Sequence, residues 1–148
     1  MKINEIMTRN PEYIGPDEIL ARAAARMRDL NVGSLPVCKD GRLVGVLTDR
    51  DVAVRAVANG LDPQTSVRSV MSRLVTYCFD DQDQEVAASL METNRIRRLP
   101  VLDRHERLVG IVSLGDLAVR THHEKMALRV LEHISEHPLP AERPAQAA

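Results

Sequence analysis

The feature that most constrains the fold is a stretch that occurs twice. Leu43-Val44-Gly45-Val46-Leu47-Thr48-Asp49-Arg50-Asp51 is echoed by Leu108-Val109-Gly110-Ile111-Val112-Ser113-Leu114-Gly115-Asp116: an apolar run broken by Gly, then a hydroxyl residue, then Asp three positions on. Around these anchors the correspondence continues at an offset of 64, pairing Met7 with Met71, Tyr13 with Tyr77, Asp17 with Asp81, Met27 with Met91 and Leu35-Pro36-Val37 with Leu99-Pro100-Val101. The anchors themselves need 65, which puts one extra residue in the turn from Asp103 to Arg107, where a surface hairpin tolerates it. The chain therefore reads as two copies of one unit, near residues 4–58 and 68–121, with a tail after them.

Each copy alone has the marginal size at which only about 60% of the unfolded surface is buried, so the two are expected to share a core. The pattern within a copy predicts strand, helix, strand, strand, helix, an α/β chain of the α+β type whose copies pack about an approximate two-fold axis. Leu20, Ala23, Ala24, Met27 and Leu30 fall three or four apart and predict a helix over 19–30, with Asp17 as its N-terminal cap and Asn31 or Gly33 turning left-handed at its end. Asp40-Gly41 signals a tight hairpin turn between two apolar strands. The second helix is expected from Asp49 or Arg50, with Val52, Ala53, Ala56 and Val57 inward and Gly60 as its stop. Copy two repeats this order, with a strand over 75–79, a helix over 81–92 and a hairpin to Val112. A further helix over 124–134 carries Met126, Val130, Leu131 and Ile134 on one side, a stripe that must cover either its own pair or a second chain. The expected division is 1–60 and 61–121 for the two units, 122–137 for the added helix, and 138–148, rich in Pro and Ala, for a disordered end.

Charge and composition exclude several functions. Formal net charge is -1, with 20 basic against 21 acidic residues and no long single-sign block, so nucleic acid is not an expected partner. The one basic spot, Arg95, Arg97 and Arg98, reads either as ordinary surface or as an anion contact beside a cleft. No apolar run reaches the roughly 20 residues of a membrane span and no signal peptide is evident, so the expectation is a cytoplasmic protein without a membrane partner. Cys38 and Cys78 read as small buried side chains or as an oxidisable pair. His122, His123, His133 and His137 invite a metal reading, but adjacent rings on a helix diverge and no carboxylate cluster of ligand spacing accompanies them. No metal is therefore expected. Nor does any residue set offer nucleophile, base and orienting group, so catalysis is not expected.

The repeated anchor is where chemistry concentrates. Its Gly lets backbone approach a ligand or the other copy closely. Thr48 and Ser113 stand where a strand gives way to a helix and can help hold an anion; Asp51 and Asp116, one turn on, can accept hydrogen bonds from the two hydroxyls of a ribose. A hydroxyl residue followed three positions later by an acid is equally an N-terminal capping pair that binds nothing. The two readings carry equal weight and can coexist.

Met7-Thr8 through Leu35-Pro36-Val37 to Gly45-Val46-Leu47-Thr48-Asp49-Arg50-Asp51, and again through Leu99-Pro100-Val101 to Gly110-Ile111-Val112-Ser113-Leu114-Gly115-Asp116, resembles a tandem of cystathionine-beta-synthase-type (CBS) domains, a Bateman module, over residues 1–121. The stretch from Leu47 to Asp51, continued by Asn59-Gly60-Leu61-Asp62-Pro63, is similar to the stand-alone bacterial members of the hypoxic-response kind. The resemblance implies a regulatory or sensory module, usually a disc-like homodimer, that binds AMP, ADP, ATP or S-adenosylmethionine in clefts between paired domains. It implies that Thr48 and Asp51 hold phosphate and ribose in one cleft, with Ile14, Val32 and Gly33 lining the base site and Arg50 adding a phosphate contact. Ser113 and Asp116 would do the same in the other, with Val75 and Ile96 at the base and Gly115 in place of Arg50, so the sites should be unequal. The alternative is a structural homodimer, or a dock for an unidentified protein partner, in which the motif only caps helices.

Overall fold

The structure, a computed structural model, describes residues 1–136. His137 and the end expected to be disordered lie outside the described residues. In chain order come α1 (Ile3–Ile6), β1 (Thr8–Arg9), α2 (Leu20–Leu30), β2 (Ser34–Lys39), β3 (Arg42–Thr48) and α3 (Asp49–Asp51), the last running on through a π-helical stretch Val52–Ala56 and a 3-10 turn Val57–Asn59. A 3-10 turn Val67–Ser69 leads to β4 (Cys78–Phe79), α4 (Gln84–Asn94), β5 (Arg98–Leu102), β6 (Leu108–Ser113), α5 (Leu114–Arg120) and α6 (Glu124–Ser135). Two strand-helix-strand-strand-helix repeats are thus packed together, with an added C-terminal helix.

Local chemistry explains most boundaries. Asn31 takes the left-handed conformation at φ 53° and ends α2 with its N–H on the Arg28 and Met27 carbonyls, a role Asn fills at low steric cost. Asp40 (φ 53°) and Gly41 (φ 77°) make the β2–β3 turn with both central residues at positive φ, the geometry that follows strand twist. Asp17, expected to cap α2, does not: the helix begins at Leu20, and Asp17 instead pairs with Arg68 at 2.9 Å. The amides of Leu20 and Ala21 donate to the carbonyls of Thr65 (2.9 Å) and Pro63 (3.0 Å), so the inter-repeat linker does the capping. After Asp51 the wider π winding changes the phase of the helix. Ala56 is buried and Val52 half-buried, whereas Ala53 is exposed and Val57 is 69% exposed, contrary to the inward stripe expected from a period of 3.6.

Each repeat's opening segment crosses to the other repeat. The N–H groups of Ile3 and Asn4 donate to the carbonyls of Gln82 and Asp80, and those of Val67 and Arg68 to Glu18 and Pro16, the same pattern 64 positions on. Ile3, Ile6 and Met7 lie in the second repeat's core with Cys78, Ala87, Ala88, Met91, Leu99, Val101, Val112 and Leu117. Val67, Val70 and Met71 lie in the first repeat's, with Ile14, Leu20, Ala23, Met27, Leu35, Val37 and Leu47. β1 pairs with β6 in the sheet β1-β6-β5-β4, and Ser72 bridges Val46 in the same antiparallel sense. This crossing is what the anchor glycines serve. A β-carbon on Gly45 would stand 2.8 Å from the Ser72 carbonyl oxygen, and one on Gly110 would stand 3.0 Å from that of Thr8 and clash with the Met7 side chain. The close approach is to the other repeat's chain.

α6 packs against α4 and α5, burying Ala127 and Val130 and laying Met126 and Ile134 on the second core. Its stripe covers its own pair. Leu131, assigned to that stripe from sequence, is 43% exposed and looks elsewhere.

Candidate functional site

The repeated corners have the same geometry. The Thr48 hydroxyl accepts from the Asp51 N–H at 3.0 Å, while Asp51 Oδ2 accepts from the Thr48 N–H at 2.9 Å. In the second repeat the Ser113 hydroxyl accepts from the Asp116 N–H at 3.1 Å, and Asp116 Oδ2 accepts from the Ser113 N–H at 2.8 Å and from its hydroxyl at 2.7 Å. Both are reciprocal capping boxes. Asp116 is the more enclosed carboxylate of a pair with Arg120, its side chain 14% exposed and its Oδ1 3.4 Å from the guanidinium.

The Ser113 corner opens on a cleft of about 570 Å³. Ser113, Leu114 and Gly115 form its floor beside Arg97 and Arg98, and α6 contributes Glu124, Ala127, Leu128 and Leu131 as the facing wall. All of these residues belong to the second repeat or to α6. The order Arg97 to Gly115 follows from one hydrogen bond, Leu114 N–H to the Arg97 carbonyl at 2.8 Å, which brings the start of β5 against the start of α5. The equivalent bond in the first repeat, Asp49 N–H to the Gly33 carbonyl at 2.9 Å, brings Gly33 to the Thr48 corner. There the Asp49 carboxylate lies 3.1 Å from where a Gly33 β-carbon would be.

The remaining residues named from sequence scatter. Ile14 has no exposed surface and sits in the first core, its backbone bonded to Pro36 and Cys38. Val32 and Ile96 are half-buried and pack on the first and second cores. Val75 lines a separate hollow of about 250 Å³ where the repeats meet, with Tyr77, Leu102, Arg42, Leu43 and Val44, and with Arg42 held to Glu106 at 2.9 Å. Arg50 is exposed beside Asp49. Of the basic spot, Arg95 donates to the Glu136 carbonyl, whereas Arg97 and Arg98 reach the cleft. The α6 wall escaped the sequence reading because Leu128 lies off the helix stripe; its three-residue spacing from Leu131 was the available signal.

Cys38 in β2 and Cys78 in the second core are both buried free thiols, and burial pushes them up to about 11 and about 12. Both are neutral thiols at physiological pH.

The model of the CBS domain matches residues 3–57 and again 67–121. The chain belongs to the CBS-domain family. It is a non-catalytic, regulatory CBS pair. It is 41% identical over 133 residues to the CBS domain-containing protein YhcV of Bacillus subtilis, covering 90% of this chain and 94% of that one. It is 40% identical over 116 residues to hypoxic response protein 1 of Mycobacterium tuberculosis, covering 77% and 80%. Among solved structures, Hypoxic Response Protein I with two coordinated zinc ions superposes with a TM-score of 0.74 at 36% identity, over 80% of this CBS pair and 97% of that chain. CBSX2 in complex with AMP gives 0.73 at 25% identity, and the CBS domain pair of MJ0100 with 5'-methylthioadenosine and S-adenosyl-L-methionine gives 0.73 at 27%, each over 84% of this chain and 98% of the other.

The zinc structure corrects one expectation. The spacing of the chain's histidines and carboxylates predicts no metal, yet a relative with the same fold is solved with two coordinated zinc ions, so spacing is no ground for excluding one. Spacing along the sequence fails as a test because metal ligands converge through tertiary structure. Among the described residues no group of three or more His, Cys, Asp or Glu side chains stands together. No helix among the described residues is long and apolar enough to cross a membrane.

Proposed function

We propose that this CBS pair is a regulatory sensor that binds an adenosine-containing ligand, AMP, ADP, ATP or S-adenosylmethionine, at its hydroxyl-and-carboxylate corners, and that it works as a homodimer. The observation that carries the reading is the cleft at Ser113, Leu114 and Gly115, which is large enough for a nucleotide and flanked by two arginines. Relatives of this fold held AMP, or 5'-methylthioadenosine and S-adenosyl-L-methionine, when solved. Each Asp spends Oδ2 on the backbone, and the Oδ1 of Asp116 is paired with the Arg120 guanidinium at 3.4 Å, so a ribose hydroxyl would share that oxygen with Arg120. Calorimetric titration of the ligand-free protein with AMP, ATP and S-adenosylmethionine should give saturable heat that is lost in Asp116→Ala. No heat from any of the three refutes the reading.

A ligand-independent scaffold is the second reading. It is favoured by the fully paired capping boxes and by the exposed valines at equivalent places in the two repeats, Val54 (47%) and Val119 (76%), which suit a surface covered by a second copy. Light scattering separates the two: a dimer whose mass and stability ignore every adenosine ligand is a scaffold.

A further inference from the structure

The two corners are built alike, but their surroundings differ. At the Ser113 corner Arg97 and Arg98 project at one side of the cleft and Ala127, Leu128 and Leu131 of α6 form the other. Neither arginine's side chain has a hydrogen bond or ion pair among the described residues. At the Thr48 corner the equivalent positions are Gly33 and Ser34, with Asp49 and Arg50 in place of Leu114 and Gly115, and the Asp49 carboxylate fills the room beside Gly33. No helix stands after α3 as α6 stands after α5; the chain runs through the linker to Val67.

We infer that α6, which lies outside both matched repeats, is part of the ligand site. In this arrangement the Ser113 cleft takes a phosphate-bearing nucleotide, with Arg97 and Arg98 on the phosphates and the apolar face of Leu128 and Leu131 against the base; the Thr48 corner has neither. The inference rests on the adenosine-ligand reading above and adds to it the identity of the base contact and the choice of corner. Two observations support it beyond the cavity itself. The residues named from sequence for the second base site are otherwise engaged, Ile96 on the core and Val75 in a different hollow. And Leu128 and Leu131 are 56% and 43% exposed on a helix whose buried face is already satisfied by Ala127 and Val130.

The charges are consistent with a polyanion. Two arginines face one acid, Glu124, around the cleft, and guanidinium groups bind phosphate oxygens in pairs. At the Thr48 corner one acid, Asp49, whose carboxylate accepts from the Arg50 N–H at 2.8 Å, stands beside one arginine, so that corner offers phosphate no such excess.

The test is calorimetric titration of the full chain with ATP, AMP and adenosine. ATP should bind more tightly than adenosine, and Arg97→Ala with Arg98→Ala should abolish that preference. Leu128→Gln with Leu131→Gln should weaken all three ligands by about tenfold, the loss expected when apolar contact with a base is replaced by polar contact. Because both leucines are half-exposed, the thermal midpoint should hardly move, and this separates a lost contact from a lost fold. Asp51→Ala should leave ATP binding intact. If wild type binds ATP, and Ser113→Ala or Arg97→Ala weakens it while Leu128→Gln with Leu131→Gln does not, the ligand sits in the cleft without α6 and the inference is overturned with the parent reading standing. If wild type binds none of the three, the parent reading fails and this one with it.

Discussion

Gly45→Ala is the perturbation whose effect the structure specifies most directly. The new methyl would stand 2.7 Å from Met71 Sδ and 2.8 Å from the Ser72 carbonyl oxygen. The thioether can swing aside; the carbonyl cannot without disturbing the bonds that tie the crossing segment to β3, Val46 N–H to Ser72 at 3.0 Å and Ser72 N–H to Val46 at 2.9 Å. Overpacking of this kind costs about 1–3 kcal/mol. Replacing Gly at an unstrained φ recovers about 0.4–1 kcal/mol by restricting the unfolded chain. The net destabilisation is about 1–2 kcal/mol, a fall in the thermal midpoint of about 2–8 °C for a chain of this size. Denaturant unfolding of Gly45→Ala against wild type measures it. Gly15→Ala is the control, since its β-carbon would meet only Glu18 Oε2 at an ordinary 3.4 Å. The crossing account is refuted if Gly45→Ala unfolds within about 0.5 kcal/mol of wild type, or if Gly15→Ala is equally damaging.

The capping boxes predict that Thr48→Ala and Ser113→Ala each lose about 0.5–2 kcal/mol of stability in denaturant unfolding, with Ser113→Asp or Thr48→Ser restoring most of it. Native Cys38 and Cys78 should resist a thiol reagent at pH 8 and react only as the protein unfolds. Their raised pKa values also fix a sign: the unfolded thiols ionise near the ordinary value of 9.0 while the folded ones keep their protons to about 11 and about 12, so stability is full below pH 9 and falls as pH rises through that window. Replacing both cysteines by Ala should flatten the fall. At the acid end, the Arg104 guanidinium bonds both oxygens of Asp81, at 2.8 and 2.9 Å, and holds its carboxyl below the usual range, so Asp81 favours folding above its unfolded value and loses that effect as pH drops through the folded one. Arg104→Ala should return the Asp81 titration, followed by NMR, to an ordinary carboxylate.

What the sequence determined by itself is everything carried by short spacings. The duplication, the β2–β3 turn at Asp40-Gly41, the left-handed stop at Asn31 and the hydroxyl-to-Asp spacing of both corners are local: each depends on groups within a few residues, whose geometry is set by the backbone before the chain folds back. Placement across the molecule was decided only by tertiary structure. Nothing in the spacing of Met7-Thr8 or Met71-Ser72 says that each joins the other repeat's sheet, because a strand edge accepts any extended chain that can reach it and reach depends on the linker and the opposite core. The same holds for the site. That Val75 faces the junction of the hairpins, that Ile14 is sealed in a core, and that Leu128 and Leu131 of α6 face Ser113 across a cleft all follow from which faces are left uncovered once the two cores have packed, a quantity that belongs to the assembled solid and not to any stretch of chain.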